Sequence, residues 1–373
     1  MSDQFNHPEI KRFADAIQTA RQEKTQINIQ GGNTKSWYGD KPKGERLSTT
    51  NYTGVLDYQP EELVITVRAG TSLAEVESLL ASKKQYFPFE PPHFGTNVTI
   101  GGMVAAGLAG PGRAQAGNLR DYVLGADIMD GTAKTLAFGG KVMKNVAGYD
   151  VSRLLPGSLG TLALLLNVSI KVLPKPIASK TLKFELSQAT AILQMNTWAS
   201  QPLPISASAW LGDVGSGELV IRLAGAQAAV AAAHQKMSRE ISCQELDEQE
   251  ASQFWTSLRE QSHQFFNLDN GQSLIRFAIN PMSGPLNLPG TTCIEWLGGQ
   301  RWIKSSMPFA EAKSLAIKHG GHATLFRGDK STEESVFTSL RDNPLTAPLE
   351  LVQQRLRAAF DPDSVFQTLR MPL

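Results

Sequence analysis

Apolar residues recur at helical spacing from the start of the chain. Ile10, Phe13, Ala14 and Ile17 share one face between Pro8 and Arg21, which predicts an amphipathic helix. A short strand, INIQ, then runs into the polar, glycine-rich QGGNTKSWYG at 30–39. GVLDY and LVITVRAG flank the turn-prone QPEE and predict a hairpin. Ser72 with Glu75 makes a capping box, and Leu73, Val76, Leu79 and Leu80 line one face of the helix it opens. YVLGADIM and KTLAFGG bracket Asp130–Gly131, a turn signal between two strands. TLALLLNVSI is apolar without alternation and reads as a buried strand, stopped by LPKP.

From about residue 177 the texture changes. KTLKFEL, ISASAWLG, ELVIRLAG and SLIRFAI read as strands, separated by helical stretches such as AQAAVAAAHQKMSREI and EASQFWTSLREQSHQFF. That mixed order predicts an α+β domain built on an antiparallel sheet. A last helix, LELVQQRLRAAF, precedes a tail expected to pack back on the first domain. The expected division is 1–176, 177–330 and 331–373.

Composition narrows the class of function. With 41% hydrophobic and 19% charged residues the chain is an ordinary globular protein. Its 36 basic against 35 acidic side chains leave a net charge of +1, too small to steer nucleic acid or an anionic membrane. No signal-peptide core opens the chain, and its longest apolar run is too short to span a bilayer. The expectation is a cytoplasmic protein without membrane insertion or nucleic-acid partner. Cys243 and Cys293 lie far apart, lack CxxC spacing and cannot supply a zinc or iron–sulfur site. They read as small buried hydrophobes.

The candidate chemistry sits in the glycine-rich loops. Adjacent Gly31 and Gly32 can let an anion approach the main chain, successive amides can form a nest for phosphate oxygens, and Thr34 and Lys35 can add a hydroxyl and a charge. The loop is neither a GxGxxG fingerprint nor a Walker loop, and a lone Gly-Gly pair is usually only a surface turn. A second cluster, FGTNVTIGGMVAAGLAG at 94–110, puts Gly101 and Gly102 at the head of a stretch with almost no side-chain bulk. Such a stretch is either a tightly packed helix or a wall on which a large planar ligand can lie. GNLRDYVLGADIMDG at 117–131 and KNVAGYDVSRLLPGSLGTLALLLNVSIKVLPKP at 144–176 complete four such elements in one domain.

In order and spacing these four segments resemble the PCMH-type FAD-binding domain of the vanillyl-alcohol-oxidase family, over residues 27 to 176. Within that family, GGMVAAGLAGPGRAQAGNLRDYVLG and GGKVMKNVAGYDVSRLLPGSLGTL look most like the FAD-binding subunits of glycolate oxidases. The resemblance implies an α+β fold: an FAD domain of two α+β subdomains and a cap-like α+β domain with an antiparallel sheet. It also implies that Gly31, Gly32, Asn33, Thr34 and Lys35 cradle the FAD diphosphate. Thr96, Ile100, Gly101 and Gly102 would line the other side of the cofactor. Asn118 and Asp121 would contact it or support its loop, and Gly160 and Leu165 would meet its adenine end. Some relatives tether FAD through a histidine just after the loop glycines; Asn33 stands there, so the flavin is expected to be non-covalent. The chain departs from the family in lacking a glutamate near Leu159 and another near Asn167. It also ends in FDPDSVFQTLRMPL, with Gln367 in place of an asparagine.

Oxidation of a 2-hydroxy acid needs a base near the hydroxyl and a cation for the carboxylate. Catalytic relatives use a GDGNxH-like segment with a second histidine on a divalent metal. The nearest counterpart, HGGHATLF with His319 and His322, lacks that signature, so no metal is expected. Arg327 could meet a carboxylate or form a surface salt bridge, and Phe265–Phe266 read as core. Three functions stay open. One is a subunit that passes electrons between a catalytic flavoprotein subunit and an iron–sulfur subunit. Another is a self-sufficient flavin dehydrogenase for a small 2-hydroxy acid, and the third a structural subunit with a non-catalytic FAD. Turnover by the isolated chain separates the second from the others; loss of complex activity on emptying the flavin site separates the first from the third.

Overall fold

The computed structural model describes residues 7–140, 150–328, 347–368 and 370. KNVAGY at 144–149, part of the flavin-family signature, lies outside them, as does all of 331–346 in the third expected division.

The first layer starts with α1 (Pro8–Glu23), whose proline sits at the first helical position, where no amide hydrogen bond is lost. It buries Phe13, Ile17 and Ala20. β1 (Ile27–Gln30) pairs in parallel with β2 (Glu45–Ser48). β3 (Val55–Gln59) and β4 (Val64–Arg68) form the expected hairpin. Next come α2 (Leu73–Ser82), β5 (Gln85–Tyr86), α3 (Ile100–Ala106) and α4 (Arg113–Ala116). β6 (Val123–Met129) and β7 (Thr135–Gly139) follow, then β8 (Leu164–Lys171) and β9 (Leu173–Pro174). The main sheet has the order β3-β4-β8-β6-β7, antiparallel throughout.

β8 is apolar without alternation because both its faces are covered. Leu164 and Leu166 pack with Phe13, Ile17, Val365 and Phe366, whereas Leu165, Val168 and Ile170 join the core on the opposite side. Between them Asn167 is buried, accepting from the Tyr52 hydroxyl (3.0 Å) and donating to Asp127 (2.9 Å). That explains one departure from the family: a carboxylate here would face Asp127 with no donor between them.

One local expectation fails. Ser72 is the N-cap of α2, but its side chain makes no capping bond. The facing loop does that work instead: the Leu73 amide donates to the Val98 carbonyl (2.9 Å), and Ser72 pairs with Thr99 in an isolated antiparallel bridge.

The second layer contains β10 (Ala178–Glu185), α5 (Gln188–Ala199), β11 (Ile205–Gly212), β12 (Gly217–Gly225), α6 (Gln227–Glu240), β13 (Gln244–Leu246) and α7 (Glu248–Arg259). It continues through β14 (Ser273–Ala278), β15 (Thr292–Glu295), β16 (Gln300–Ser305), α8 (Phe309–Lys318) and β17 (His322–Arg327). Its eight strands run β13-β10-β12-β11-β15-β16-β14-β17, every pair antiparallel. α5, α6 and α8 cover one face. The opposite face, carrying Ala209, Cys293, Trp302 and Phe326, packs against α7 and against Tyr38, Ala106, Leu108 and Leu159 of the first layer. Phe265 and Phe266 lie in that core, in a separate 3-10 turn, because the left-handed Gln261 (φ 50°) ends the helix before them.

Two carboxylates bind the layers together. Glu90 pairs with Arg222 (2.6 Å) and accepts the Gly112 amide; Glu260 accepts the amides of His93 and Phe94. After α9 (Ala347–Phe360) the chain returns to β1 and the loop beyond it. The carbonyls of Val365, Thr368 and Arg370 accept the amides of Ile27, Lys43 and Asp40 at 2.8, 2.9 and 3.1 Å. The Gln26 side chain donates to the Gln367 carbonyl. These contacts use main-chain atoms of the tail, so glutamine in place of the family's asparagine leaves them intact.

Candidate functional site

β1 delivers the loop of Gly31–Lys35 to the wall of a cleft with about 730 Å³ between its sides, open solvent included. The main-chain amides of Gly31, Gly32, Asn33, Thr34 and Lys35 form no hydrogen bond among the described residues. Residues 31–34 are partly or fully exposed, so these amides are open to solvent or to a ligand rather than spent within the fold. Here they offer a row of donors to an anion. Asn33 takes a left-handed conformation (φ 60°), the conformation that lets neighbouring amides converge.

The loop glycines are needed for a close approach of chain to chain. A Cβ on Gly32 would stand 1.4 Å from the Asn97 carbonyl oxygen, and one on Gly31 2.3 Å from Thr99 Oγ1. Lys35 is buried, with its Nζ 3.1 Å from the His93 carbonyl, 3.4 Å from Thr34 Oγ1 and over the Phe94 ring. Burial pulls its pKa down to about 8, against the opposing charge of Glu260.

The facing wall is α3. Thr99 caps it by accepting the Gly102 amide (3.1 Å), Ile100 N donates to Thr71 O, and Gly101 N donates to Ala69 O (2.7 Å). A Cβ on Gly101 would stand 2.8 Å from that of Ala69. Gly102, Ala105 and Ala106 present little bulk, and Gly160, Ala163 and Leu165 close the far side.

Of the residues expected to touch the cofactor, the cleft brings together Gly31, Gly32, Asn33, Thr34, Lys35, Gly101, Gly102, Gly160 and Leu165. Thr96 lines instead an adjoining groove that shares Gly31, Gly32, Asn33 and Thr99 with the cleft. Ile100 is fully buried with its side chain in the core. Asn118 and Asp121 line a different cavity, where they close a turn: Leu119 N donates to Asn118 Oδ1 and Asn118 N to Asp121 Oδ2. Sequence reasoning missed Arg370. Its Nη2 donates to the carbonyls of Lys35 (2.8 Å) and Tyr38 (3.3 Å), and its buried Nε has no partner among the described residues. It lines the cleft from 335 positions away in sequence, so no local pattern could have pointed to it.

The donor set fits an extended dinucleotide. Unpaired amides, a threonine hydroxyl, an ammonium and a guanidinium gather at one end, and small or apolar surface at the other. Among the described residues no group of three or more His, Cys, Asp or Glu is placed to hold a metal ion. His319 closes the C-terminus of α8, whereas His322 lines a second cavity. Arg327 stacks on Trp37 and hydrogen-bonds the Gln261 side chain, and it forms no ion pair among the described residues. Cys293 is completely buried, which pushes its thiol pKa well up.

Comparison with known proteins agrees with this geometry. A family profile described as an FAD binding domain matches residues 9–139. Over 357 residues the chain is 42% identical to the glycolate oxidase subunit GlcE of Escherichia coli K12, covering 96% of this chain and 95% of that protein. It is 34% identical to glycolate oxidase subunit GlcD of Bacillus subtilis, over 34% of this chain and 27% of the relative. A D-lactate dehydrogenase of Archaeoglobus fulgidus is 31% identical over 43% of this chain and 36% of its own. A solved structure of alkyldihydroxyacetonephosphate synthase shares the fold at 14% identity, with a TM-score of 0.65 over 95% of this chain and 74% of that one. With identity at this level across nearly the whole of both chains, the protein belongs to the family of glycolate oxidase GlcE subunits, which are FAD-dependent oxidoreductases, and its cofactor is FAD.

Proposed function

We propose that this chain is the FAD-binding subunit of a glycolate oxidase complex that oxidises glycolate or D-lactate to the 2-oxo acid. Electrons would pass through this flavin to an iron–sulfur partner. The row of unpaired amides from Gly31 to Lys35, at the edge of a cleft walled by α3, carries the reading. Those amides, with Lys35, would hold the diphosphate, and Gly102 and Ala105 would leave room for the flat parts of the cofactor. When bound, FAD supplies a carrier that takes electrons from the partner's flavin and can hand them on singly. With Asn33 where some relatives carry histidine, the cofactor would be held non-covalently.

Onward transfer would need a partner. The chain has two cysteines, of which Cys293 is fully buried, too few for the four thiolates that hold an iron–sulfur cluster. The relatives are named as subunits, which supports a complex containing a second, catalytic flavoprotein. Among the described residues no helix is long and apolar enough to cross a membrane, and a cytoplasmic place is part of this proposal.

The test is a complex assembled with Gly32→Asp in this chain. Glycolate should still reduce the partner's flavin, while electron delivery to the iron–sulfur subunit should collapse. Full turnover by that complex would make this FAD a structural element only. Bleaching of the isolated wild-type chain by glycolate would instead mark a self-sufficient dehydrogenase.

A further inference from the structure

A second cavity lies between the two layers, with about 1240 Å³ between its walls, open solvent included. It shares Ala106 and Leu159 with the cofactor cleft, so the two spaces adjoin. Towards solvent it opens through a wider depression that shares Arg113, Asn118, Arg120, Trp296 and His322 with it. A path thus runs from the surface to the edge of the cofactor cleft.

The charges on this path are not balanced. Four arginines line it: Arg113, Arg120, Arg259 and Arg276. Two are committed or exposed, since Arg259 bonds Glu260 (2.8 Å) and Arg120 projects into solvent 3.9 Å from Asp121. The other two have no hydrogen-bond or ion-pair partner for their side chains among the described residues. Arg113 stacks on Trp296, with its guanidinium carbon 4.3 Å from the ring, and Arg276 lies over Phe326 at 5.5 Å. The Trp296 ring is itself fixed by its donation to the Gly110 carbonyl (3.1 Å).

Among the described residues no carboxylate forms an ion pair with either, and Asp121 acts on Arg113 only at longer range. Glu295 is buried and already accepts from Gln300 (3.0 Å) and Trp302 (2.6 Å), and loss of solvent raises its pKa to about 7. Asp121 accepts the Asn118 amide. Burial first, then the charge of Arg276, lowers the pKa of both Arg113 and the cavity-mouth His322, so the cationic centres repel one another. Partly buried cations without counter-ions are costly unless an anion completes them. A guanidinium stacked on a ring keeps its N–H edge free for a planar, two-oxygen acceptor.

We propose that this cavity is a binding site for a small carboxylate, gripped by Arg113 from the first layer and Arg276 from the eight-stranded sheet. Trp302, Phe326 and Leu108 give the remaining wall an apolar character that suits a short carbon chain. Identification of that acid with the 2-hydroxy or 2-oxo acid of the complex rests on the function proposed above; binding of a carboxylate here does not.

The experiment is calorimetric titration of the purified flavin-containing chain with oxamate, a carboxylate that flavin does not oxidise. Parallel titrations use oxamide, its neutral counterpart, and inorganic phosphate. One-site binding of oxamate is expected, with little or none for oxamide and weaker binding of phosphate. Arg276→Gln and Arg113→Gln should each weaken oxamate at least about tenfold, and Arg276→Lys should recover part of the loss. Flavin content and melting temperature recorded on every variant separate a lost site from a lost fold. The proposal is overturned by absent oxamate binding to the wild type, by unchanged affinity in both glutamine variants, or by phosphate binding as tightly. Should the chain prove flavin-free yet still bind oxamate through these arginines, the cofactor reading fails while this one stands.

Discussion

The two glycine pairs look alike in sequence and do different things. At Gly31–Gly32 the amides are unpaired and the two residues line the cleft. At Gly101–Gly102 every amide is used: Gly101 donates to Ala69 and Gly102 to Thr99. Both pairs allow close packing, Gly32 against the Asn97 carbonyl and Gly101 against Ala69, but only the first also leaves its main-chain donors unpaired. The lesson is that a glycine pair marks close approach of some kind, and only the hydrogen-bond inventory says whether a ligand or the protein itself is approaching.

Single alanines should break the comparison open most visibly. Gly32→Ala drives a Cβ to 1.4 Å from a main-chain oxygen, so the loop must move and flavin content should fall to near zero. Gly101→Ala meets the Ala69 methyl at 2.8 Å, which should lower stability by about 1–3 kcal/mol while most of the flavin stays bound. Flavin content and urea midpoints for both proteins check this. Equal losses of flavin and stability in the two variants would erase the distinction.

A smaller effect is expected at Lys35. Lys35→Met should weaken FAD about tenfold by removing a charge from the diphosphate end, without loss of stability, because the amine it deletes is buried. Fluorescence titration of the flavin-free protein with FAD measures it; unchanged affinity would leave Lys35 serving only the His93 carbonyl.

The smallest effect is its pH dependence. With a folded pKa of about 8 against an ordinary 10.5, Lys35 is charged in folded and unfolded chains below pH 8. Between those values the folded chain has released a proton that the unfolded chain still holds. The flavin-free fold therefore gains stability as pH rises through that window, and FAD binding weakens through it by tenfold or less, roughly. A dissociation constant that is flat from pH 7 to 9.5 would remove the ammonium from the diphosphate contact.

Much of this was legible where physics is local. The period of α1, the hairpin of β3 and β4, and the apolar run of β8 all follow from burial on one or two faces. The loop we propose for the diphosphate could be picked out because Gly31–Lys35 is continuous in sequence. What stayed hidden was carried by distant partners. Ser72 lost its capping role to the loop at Val98–Thr99, and Ile100 turned into the core. Arg370 reached the cleft through tail contacts that no spacing encodes. The cavity cations Arg113 and Arg276 come from separate layers, so only folding places them on one cavity.

The central claim is that this chain holds FAD in the cleft without a covalent bond. An absorption spectrum of the purified chain, taken before and after acid precipitation, tests it most directly. The account predicts a yellow protein whose flavin passes entirely into the supernatant. Flavin retained in the pellet would contradict the non-covalent cleft, and a colourless chain that takes up no added FAD would contradict the cofactor assignment itself.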